Sequence, residues 1–291
     1  MSEIILAGYR ESMRIRGYEA DTIKKSVCFV RQLLAHSPIS QLSTATTEAH
    51  FLNLAKAGRS NKTIANHRSA IKVFCDYLVA HGLIERNPIG RLPIMKMHEE
   101  IPVFLSDDEV EVLHRIAQEE GISCEICLAL NTGLRLEEMR MLEWKDVDFQ
   151  RKQVTVRKAK SKRPRIIPLN ENALKALRRQ AETFGHLVYV FPGGRGAARS
   201  DRWTEARPRG RNWWEKKSIQ RMQNEIPALQ KLPEGRTGRG WHALRHTFAT
   251  RAARAGIDMF KLKNWMGHRK IETTLRYVHM VQQYDADIER I

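Results

Sequence analysis

Several features of membrane-bound and nucleotide-driven proteins are missing from this 291-residue sequence. It contains no apolar run of about 18 residues, the length that a membrane-spanning helix needs. The segment from Met1 to Arg16 lacks the apolar stretch of a secretory signal, so we expect a cytoplasmic protein. Gly235 to Gly240 is rich in glycine but lacks the Lys-Ser/Thr ending of a phosphate-binding loop, so ATP-driven chemistry is not indicated.

Cysteine is scarce, with Cys28, Cys75, Cys124 and Cys127 as its only occurrences. Cys124 and Cys127 form a single C-x-x-C pair in an apolar, helix-like stretch. A zinc site would need a second pair or clustered histidines nearby, and the sequence offers neither. We interpret the pair as structural thiols in a reducing compartment, and we expect neither a metal nor another cofactor.

Acidic residues are too few to balance the basic ones. The chain has 33 acidic residues against 50 lysines and arginines, which gives a formal net charge of +17 and a pI near 10.0. The surplus is spread along the chain, at 14 basic to 7 acidic residues in 1–97 and 36 to 26 in the remainder. The positive field of such a surplus attracts polyanions. The charge therefore favours a protein that binds nucleic acid over a soluble protein that is merely basic.

Residues 1 to about 90 show the pattern of helices joined by short turns. Ser60 is a capping residue ahead of a helical segment, and an apolar stripe follows it at three- and four-residue spacing. The stripe consists of Ile64, His67, Ile71, Phe74 and Leu78. The opposite face carries Lys62, Asn66 and Ser69, and it is either solvated or enters a DNA groove.

A predicted linker separates two domains. Pro88 and Pro93 interrupt the helical pattern, and Ser106 with Glu109 forms a capping box that starts a new helix. We therefore place a helical domain at 1–97 and a second domain at 98–291.

The second domain is predicted to be mainly helical with one β-hairpin. Apolar and polar residues alternate in Gln153 to Arg157, and Arg165 to Leu169 forms a second apolar run. The fold class expected for the chain is therefore mainly α, with a small β-hairpin, in two domains.

Two short segments place basic side chains near turns. Thr132-Gly133 precedes a helical run, which puts Arg135 at a turn–helix junction with Glu138 within reach on the same helical face. Lys160 lies on the predicted hairpin turn, among other basic residues. Local pattern alone does not distinguish Lys160 from its neighbours Lys158, Lys162, Arg163 and Arg165.

Two later segments add imidazoles and a phenol. His242, Arg245 and His246 share one helical face, an arrangement suited to binding an oxyanion and poor for core packing. Gly267 is predicted to end a helix, His268 follows it, and Tyr277 lies nine residues after that histidine. A single tyrosine on a helix is more often a packing residue than a nucleophile.

The order of these elements resembles the tyrosine recombinase (phage integrase) family. That order is Thr-Gly-Leu-Arg, a hairpin lysine, His-x-Leu-Arg-His, Gly-His, and a tyrosine nine residues later. The resemblance covers about residues 100–285, and the helical N-terminal part fits the family's core-binding domain more loosely. Met266 departs from the leucine common before the Gly-His pair, which is a volume-conserving change.

The resemblance implies a set of catalytic roles. Arg135 and Arg245 would clamp the scissile phosphate, and His268 would hydrogen-bond to it. Lys160, matched by counting back from Pro168-Leu169, would protonate the departing 5′ oxygen.

The remaining roles concern the nucleophile and its support. Tyr277 would attack the phosphate, and His242 would help to move the phenol proton. Glu138 and His246 occupy supporting positions behind these residues.

By the same resemblance, the chain would be a site-specific DNA recombinase that works through a 3′-phosphotyrosine intermediate without ATP or metal. Its partner would be double-stranded DNA, bound on the nucleoid by a homotetramer that joins two sites. The 14 residues after Tyr277 would pack on a neighbouring protomer or on their own subunit. Whether an accessory DNA-bending protein takes part is left open.

Two other functions fit parts of the pattern. A type IB topoisomerase uses closely related chemistry and would relax supercoiled DNA as a monomer. A DNA-binding protein without catalytic activity would explain the charge, but it would leave the ordered set of residues as coincidence.

Overall fold

A computed structural model describes residues 2–91, 102–157, 164–194, 203–210, 214, 218–230 and 240–278. The chain divides into two compact units, residues 1–100 and 101–291. The boundary predicted between residues 97 and 98 falls outside the described ranges and stays a prediction. Within those ranges, no helix combines the length and the apolar character that a membrane span requires.

The described part of the N-terminal unit contains four helices: α1 (Ser2–Ile15), α2 (Ala20–Leu34), α3 (Thr44–Lys56) and α4 (Asn61–Ala80). Short 3-10 turns lie at Ile39–Gln41 and Pro88–Arg91. Ser60 caps α4 as predicted, because its hydroxyl accepts the Thr63 N–H at 3.3 Å. The predicted stripe of α4 is buried over its whole length. One core of this unit packs Tyr9 of α1 edge-on against Phe74 of α4, with ring centroids 5.1 Å apart.

Two histidines lie inside this unit. His67 stacks on Phe29 with ring centroids 3.9 Å apart, and the centroid of His50 lies 5.7 Å from that of His67. Among the described residues, neither His50 Nε2 nor His67 Nδ1 has a hydrogen-bond partner. Burial lowers the pKa of His50 to about 4, and it lowers the pKa of His67 as well. Both rings are therefore neutral at neutral pH.

The described part of the C-terminal unit is mainly helical. Its helices are α5 (Asp107–Glu119), α6 (Ser123–Thr132), α7 (Leu136–Arg140), α8 (Glu171–Phe184), α9 (Ser218–Glu225), α10 (Gly240–Arg254), α11 (Met259–Met266) and α12 (Glu272–Leu275). Short 3-10 turns lie at Trp144–Asp146 and Pro227–Leu229. The capping box predicted at the start of α5 is present, with Ser106 and Glu109 bonded reciprocally.

The predicted hairpin is confirmed and belongs to a small antiparallel sheet. β1 (Val147–Asp148), β2 (Gln153–Val156) and β3 (Arg165–Pro168) pair in that order. A second antiparallel pair joins β4 (Pro192–Gly194) to β5 (Trp203–Pro208). The fold class predicted from the sequence, mainly α with a small β-hairpin, is therefore confirmed.

A buried ion pair fastens the segment after β5 to the helical core. Arg209 Nη1 donates to Glu125 Oε1 at 2.6 Å, and the Glu125 side chain is only 3% exposed. The Arg209 guanidinium also lies over the Trp214 ring, 6.0 Å from its centroid. Cys124 and Cys127, on the same helix as Glu125, are free and partly buried. Burial raises the pKa of both thiols, which keeps them protonated and unreactive at neutral pH.

The buried histidine pair predicts acid sensitivity of the N-terminal unit. Unfolding returns both rings to an ordinary pKa near 6.5, so the unfolded chain binds more protons than the folded one once the pH falls below that value. The free energy of unfolding of this unit should therefore fall as the pH drops from about 6.5 towards 4. Hydrogen exchange of peptides from α2 to α4 in the full chain, followed by mass spectrometry, measures the effect.

Replacing both rings, His50→Phe with His67→Phe, should weaken this dependence on pH. The exposed His81 offers the matched control, and His81→Phe should leave the dependence unchanged. An identical pH profile in the double variant and the unsubstituted chain would count against the assignment.

Candidate active site

A cluster of polar side chains in the C-terminal unit is centred on the buried guanidinium of Arg245 on α10. This residue is 3% exposed. Its guanidinium donates to the backbone carbonyls of Gly133 and Met266, and Nη2 lies 3.3 Å from His268 Nε2. Arg245 therefore connects α10 with the C-terminal ends of α6 and α11.

Glycines end both of these helices. Gly133 follows α6 with a φ of 61°, and Gly267 follows α11 with a φ of 64°, both in the left-handed region. A Cβ atom on Gly133 would overlap the Phe248 ring, so only glycine fits there. The end of α11 at Gly267 is as predicted from the sequence.

Arg135 occupies the turn between α6 and α7, as the Thr-Gly signal predicted. It is the N-cap residue of α7, and its side chain remains 27% exposed. Its guanidinium donates to Glu138 Oε1 at 3.0 Å and to the Gly267 carbonyl at 3.2 Å. Arg135 and Arg245 thus contact the same end of α11 from two different elements.

Glu138 is a buried carboxylate shared by two arginines. It accepts the backbone N–H of Arg135 at 2.9 Å, and Arg165 binds both of its oxygens at 2.9 and 2.6 Å. Burial alone would raise the pKa of Glu138, but the hydrogen bonds and charges of Arg165 and Arg135 hold it below its ordinary value. The carboxylate therefore stays charged and fixes both guanidinium groups.

Sequence reasoning did not single out Arg165, which it counted as one of several basic residues of the hairpin. The strand pattern contains the missing signal, because Arg165 stands two residues before Ile167, which is fully buried. Alternation along a strand puts these two side chains on the same face of the sheet. There Arg165 also donates from Nε to the Trp265 carbonyl at 2.8 Å, which connects β3 to α11.

The phenol of Tyr277 lies beside this cluster and is only 3% exposed. Its hydroxyl is 2.7 Å from Nδ1 of His246. The sequence assigned movement of the phenol proton to His242, whereas the structure places His246 directly against the hydroxyl. His242 is exposed and packs edge-on against His246, with ring centroids 5.0 Å apart.

His268 completes the group. Its Nδ1 lies 2.9 Å from Thr274 Oγ1, and its ring is nearly parallel to that of Tyr277, with centroids 6.5 Å apart. Burial, followed by the charge of Arg245, lowers the pKa of His268 to about 3. Burial, followed by the proximity of His242, lowers the pKa of His246 to about 3 as well.

These environments set the charge states of the site at neutral pH. Both His246 and His268 are neutral, so each has a nitrogen lone pair that can accept a proton. Burial raises the pKa of Tyr277, although the charges of Arg245, Arg276 and Arg135 oppose the rise. The phenol is therefore protonated and hydrogen-bonded to a neutral imidazole, an arrangement suited to transferring its proton.

Lys160 falls outside the described residues, so its predicted role stays a prediction. The structure brings together Arg135, Arg245, His268 and Tyr277, with Glu138 behind them. His242 packs against the His246 ring, and it lies close to Arg245 and Arg135. Desolvation, followed by the charges of these two arginines, lowers the pKa of His242. In the described part of the chain, no three His, Cys, Asp or Glu side chains are grouped as metal ligands.

In the N-terminal unit, Lys62, Asn66 and Ser69 are all exposed on one face of α4. Asn66 and Ser69 line a groove together with Thr22 and Lys25 of α2. The sequence had associated only the α4 side of this groove with DNA.

Several characterised proteins are similar to this chain in sequence. A tyrosine recombinase of Thermosipho africanus is 25% identical over 283 residues, which covers 94% of this chain and 93% of that protein. The tyrosine recombinase XerC of Shewanella amazonensis is 28% identical over 267 residues, with coverage of 87% and 84%. Both alignments extend well beyond the C-terminal unit.

Solved structures share the fold. The integrase of transposon Tn1549 in complex with transposon right-end DNA superimposes with a TM-score of 0.75 at 23% identity, over 98% of each chain. A lambda integrase tetramer bound to a Holliday junction gives a TM-score of 0.74 at 18% identity, over 97% of this chain and 79% of that one. At these identities, the likeness establishes the architecture.

The shared carboxylate predicts a large effect of removing Arg165. Arg165→Met would leave Glu138 buried with only Arg135 as its cation, and breaking a buried pair in this way costs about 3–5 kcal/mol. The free energy of unfolding in urea should fall by that amount. Arg151→Met is the control, because the Arg151 side chain is 78% exposed and its pairing with Asp148 contributes little. Equal losses in the two variants would refute the prediction.

The family-level match covers the segment that contains this site. The model of the phage integrase family matches residues 103–283. That range includes Arg135, Arg245, His268 and Tyr277 and extends over more than half of the chain. The order of motifs in the chain and its architecture agree with this match, so the chain belongs to the phage integrase family of tyrosine recombinases.

Proposed function

We propose that the chain is a site-specific DNA recombinase that cleaves and rejoins DNA strands through a covalent 3′-phosphotyrosine at Tyr277. The hydrogen bond of 2.7 Å between the Tyr277 hydroxyl and the neutral His246 ring carries this proposal. Any buried phenol needs a hydrogen-bond partner, but here the partner is a neutral imidazole, and the charges of Arg245 and Arg135 act on the same phenol. The names of the relatives and the match to the family support the same activity.

The phosphate would bind where the guanidinium groups of Arg135 and Arg245 meet His268. Planar guanidinium groups suit phosphate oxygens, because each presents a fork of donors. These donors are held in place by carbonyls and by Glu138 before any DNA arrives. Fixed donors that face the charge developing in a transition state are worth about 10²–10³ in rate for each one lost.

Cleavage would proceed by attack of the phenol oxygen on the phosphorus. The Tyr277 O–P bond forms as the bond from phosphorus to the 5′ oxygen breaks, and the phenol proton passes to His246. Lys160 would supply a proton to the departing 5′ oxygen, as the family resemblance implies. The phosphodiester energy is kept in the phosphotyrosine, so the reverse reaction rejoins the strands without ATP.

We propose double-stranded DNA as the partner, with the groove between α2 and α4 as a contact of the N-terminal unit. Lys62 and Lys25 would face phosphates, and Asn66 and Ser69 offer hydrogen bonds to base edges or to the backbone. Binding DNA in this way would place the protein on the nucleoid.

A homotetramer on two DNA sites is the assembly we propose. The lambda integrase tetramer bound to a Holliday junction is similar in fold and supports it. The 14 residues after Tyr277 would then pack on a neighbouring protomer; of these, all but Val278 lie outside the described residues.

Trapping a covalent adduct tests this function. Incubation with a library of nicked suicide duplexes should yield a protein–DNA adduct, which denaturing gel electrophoresis detects. Tyr277→Phe removes the attacking oxygen while keeping the ring, so it should abolish the adduct.

Sequencing the trapped DNA should reveal one preferred site. Relaxation of plasmids of any sequence, without joining of two sites, would instead indicate a topoisomerase. An adduct that persists in Tyr277→Phe would refute the assignment of the nucleophile.

The two histidines near the phenol lead to a separate prediction. His246→Gln removes the base in contact with the hydroxyl, so adduct formation should slow by about 10²–10⁴. His242→Gln, one helical turn away, should slow it less.

Because the pKa of His246 is about 3, the wild-type rate should stay level between pH 8 and 5. A base with an ordinary pKa near 6.5 would lose roughly tenfold one unit below that pKa. Single-turnover rates across this range measure both effects. A larger loss of rate in His242→Gln than in His246→Gln would mean that His242 accepts the phenol proton.

A further inference from the structure

Thr274 of α12 connects the imidazole of His268 to the helical turn that ends at Tyr277. The residue is fully buried. Its Oγ1 lies 2.9 Å from His268 Nδ1, and its backbone carbonyl accepts the Tyr277 N–H at 3.0 Å. A hydroxyl at this position orients the ring of His268, and it can either donate a hydrogen bond to that ring or accept one from it.

The hydrogen bonds define which nitrogen of His268 carries the proton in the DNA-free protein. Arg245 can only donate, so its Nη2, 3.3 Å from His268 Nε2, requires a lone pair on that nitrogen. The low pKa of His268 keeps the ring neutral, so its single proton is on Nδ1. Nδ1–H then donates to Thr274 Oγ1.

Bound phosphate reverses this requirement. Phosphodiester oxygens accept hydrogen bonds and donate none, so His268 can contact one only through an Nε2–H. A neutral ring therefore has to carry its proton on the other nitrogen. Nδ1 then becomes an acceptor and needs a donor.

A hydroxyl meets both requirements, because it either accepts or donates after rotating about its C–O bond. A carbonyl or an ionised carboxylate at this position would only accept, and would hold the proton on Nδ1. We propose that Thr274 is a positioning residue that lets His268 exchange tautomers, so that the ring accepts from Arg245 in the empty site and donates to the phosphate in the occupied one.

The exchange conserves protons and charge. Nδ1 gives its proton to water and Nε2 takes one from water, since His268 is partly exposed, while the Thr274 hydroxyl turns to donate to Nδ1. The Arg245 N–H released from Nε2 turns to the same phosphate. The proposal rests on the proposed function, since a phosphodiester is the ligand that demands the second tautomer.

The first test reads the tautomer directly and needs no DNA. The full chain is labelled with ¹⁵N-histidine, and His268→Gln identifies the resonances of His268. The DNA-free protein should show a protonated Nδ1, and Thr274→Ser should preserve it. Thr274→Val keeps the volume but deprives Nδ1–H of its acceptor, so the fraction protonated on Nε2 should rise. A protonated Nε2 in the unsubstituted protein, or an unchanged ratio in Thr274→Val, would overturn the proposal.

The second test measures adduct formation on suicide duplexes in single turnover. Thr274→Val should slow the reaction by about 10–100-fold, by analogy with the range for hydrogen-bond partners that orient metal-ligating histidines. Thr274→Ser should remain close to the unsubstituted rate. Thr273→Val is the control, because Thr273 lies on the same helix with an exposed side chain.

Combining Thr274→Val with His268→Gln distinguishes a role of Thr274 in positioning His268 from a role in the stability of α12. If Thr274 acts through His268, Thr274→Val should cause no further slowing in the His268→Gln background. Full additivity of the two substitutions would mean a structural role and would overturn the proposal. An absence of adduct in the unsubstituted protein would count against the proposed function instead, and the tautomer measurement would still decide the role of Thr274.

Discussion

Burial of the Arg245 guanidinium is the constraint on which the rest of the candidate active site depends. A cation removed from water needs acceptors at short range, and two of the acceptors here are the carbonyls of Gly133 and Met266. Carbonyls at helix C-termini have no partner within the helix and carry the negative end of the helix dipole. The ends of α6 and α11 must therefore meet at one point on α10, and this meeting brings Arg135 and His268 to the same place.

The charges around this point leave room for an anion. Arg135, Arg165 and Arg245 contribute three positive charges, and among the described residues the buried carboxylate that pairs with Arg135 and Arg165 is Glu138. This excess opposes protonation of the nearby imidazoles, which is one cause of the low pKa of His268. A bound phosphate would offset the excess.

The N-terminal unit follows a different principle. Its helices bury apolar stripes around neutral interior histidines, and its polar side chains lie along the groove between α2 and α4. Lys25, which lines that groove, is exposed on the surface. The candidate active site in the C-terminal unit instead places the charges of Arg245 and Glu138 in the interior, where backbone carbonyls and guanidinium groups hold them.

The sequence by itself determined the local features of this protein. The caps at Ser60 and Ser106, the β-hairpin and the end of α11 at Gly267 depend on residues a few positions apart, so their signals are readable in one dimension. The family resemblance added that Arg135, Arg245, His268 and Tyr277 belong together. Only the tertiary structure decided which groups touch: Arg165 with Glu138 across 27 residues, and His246 with Tyr277 across 31. Such contacts depend on how helices and strands cross, and the spacing of residues along the chain does not contain that information.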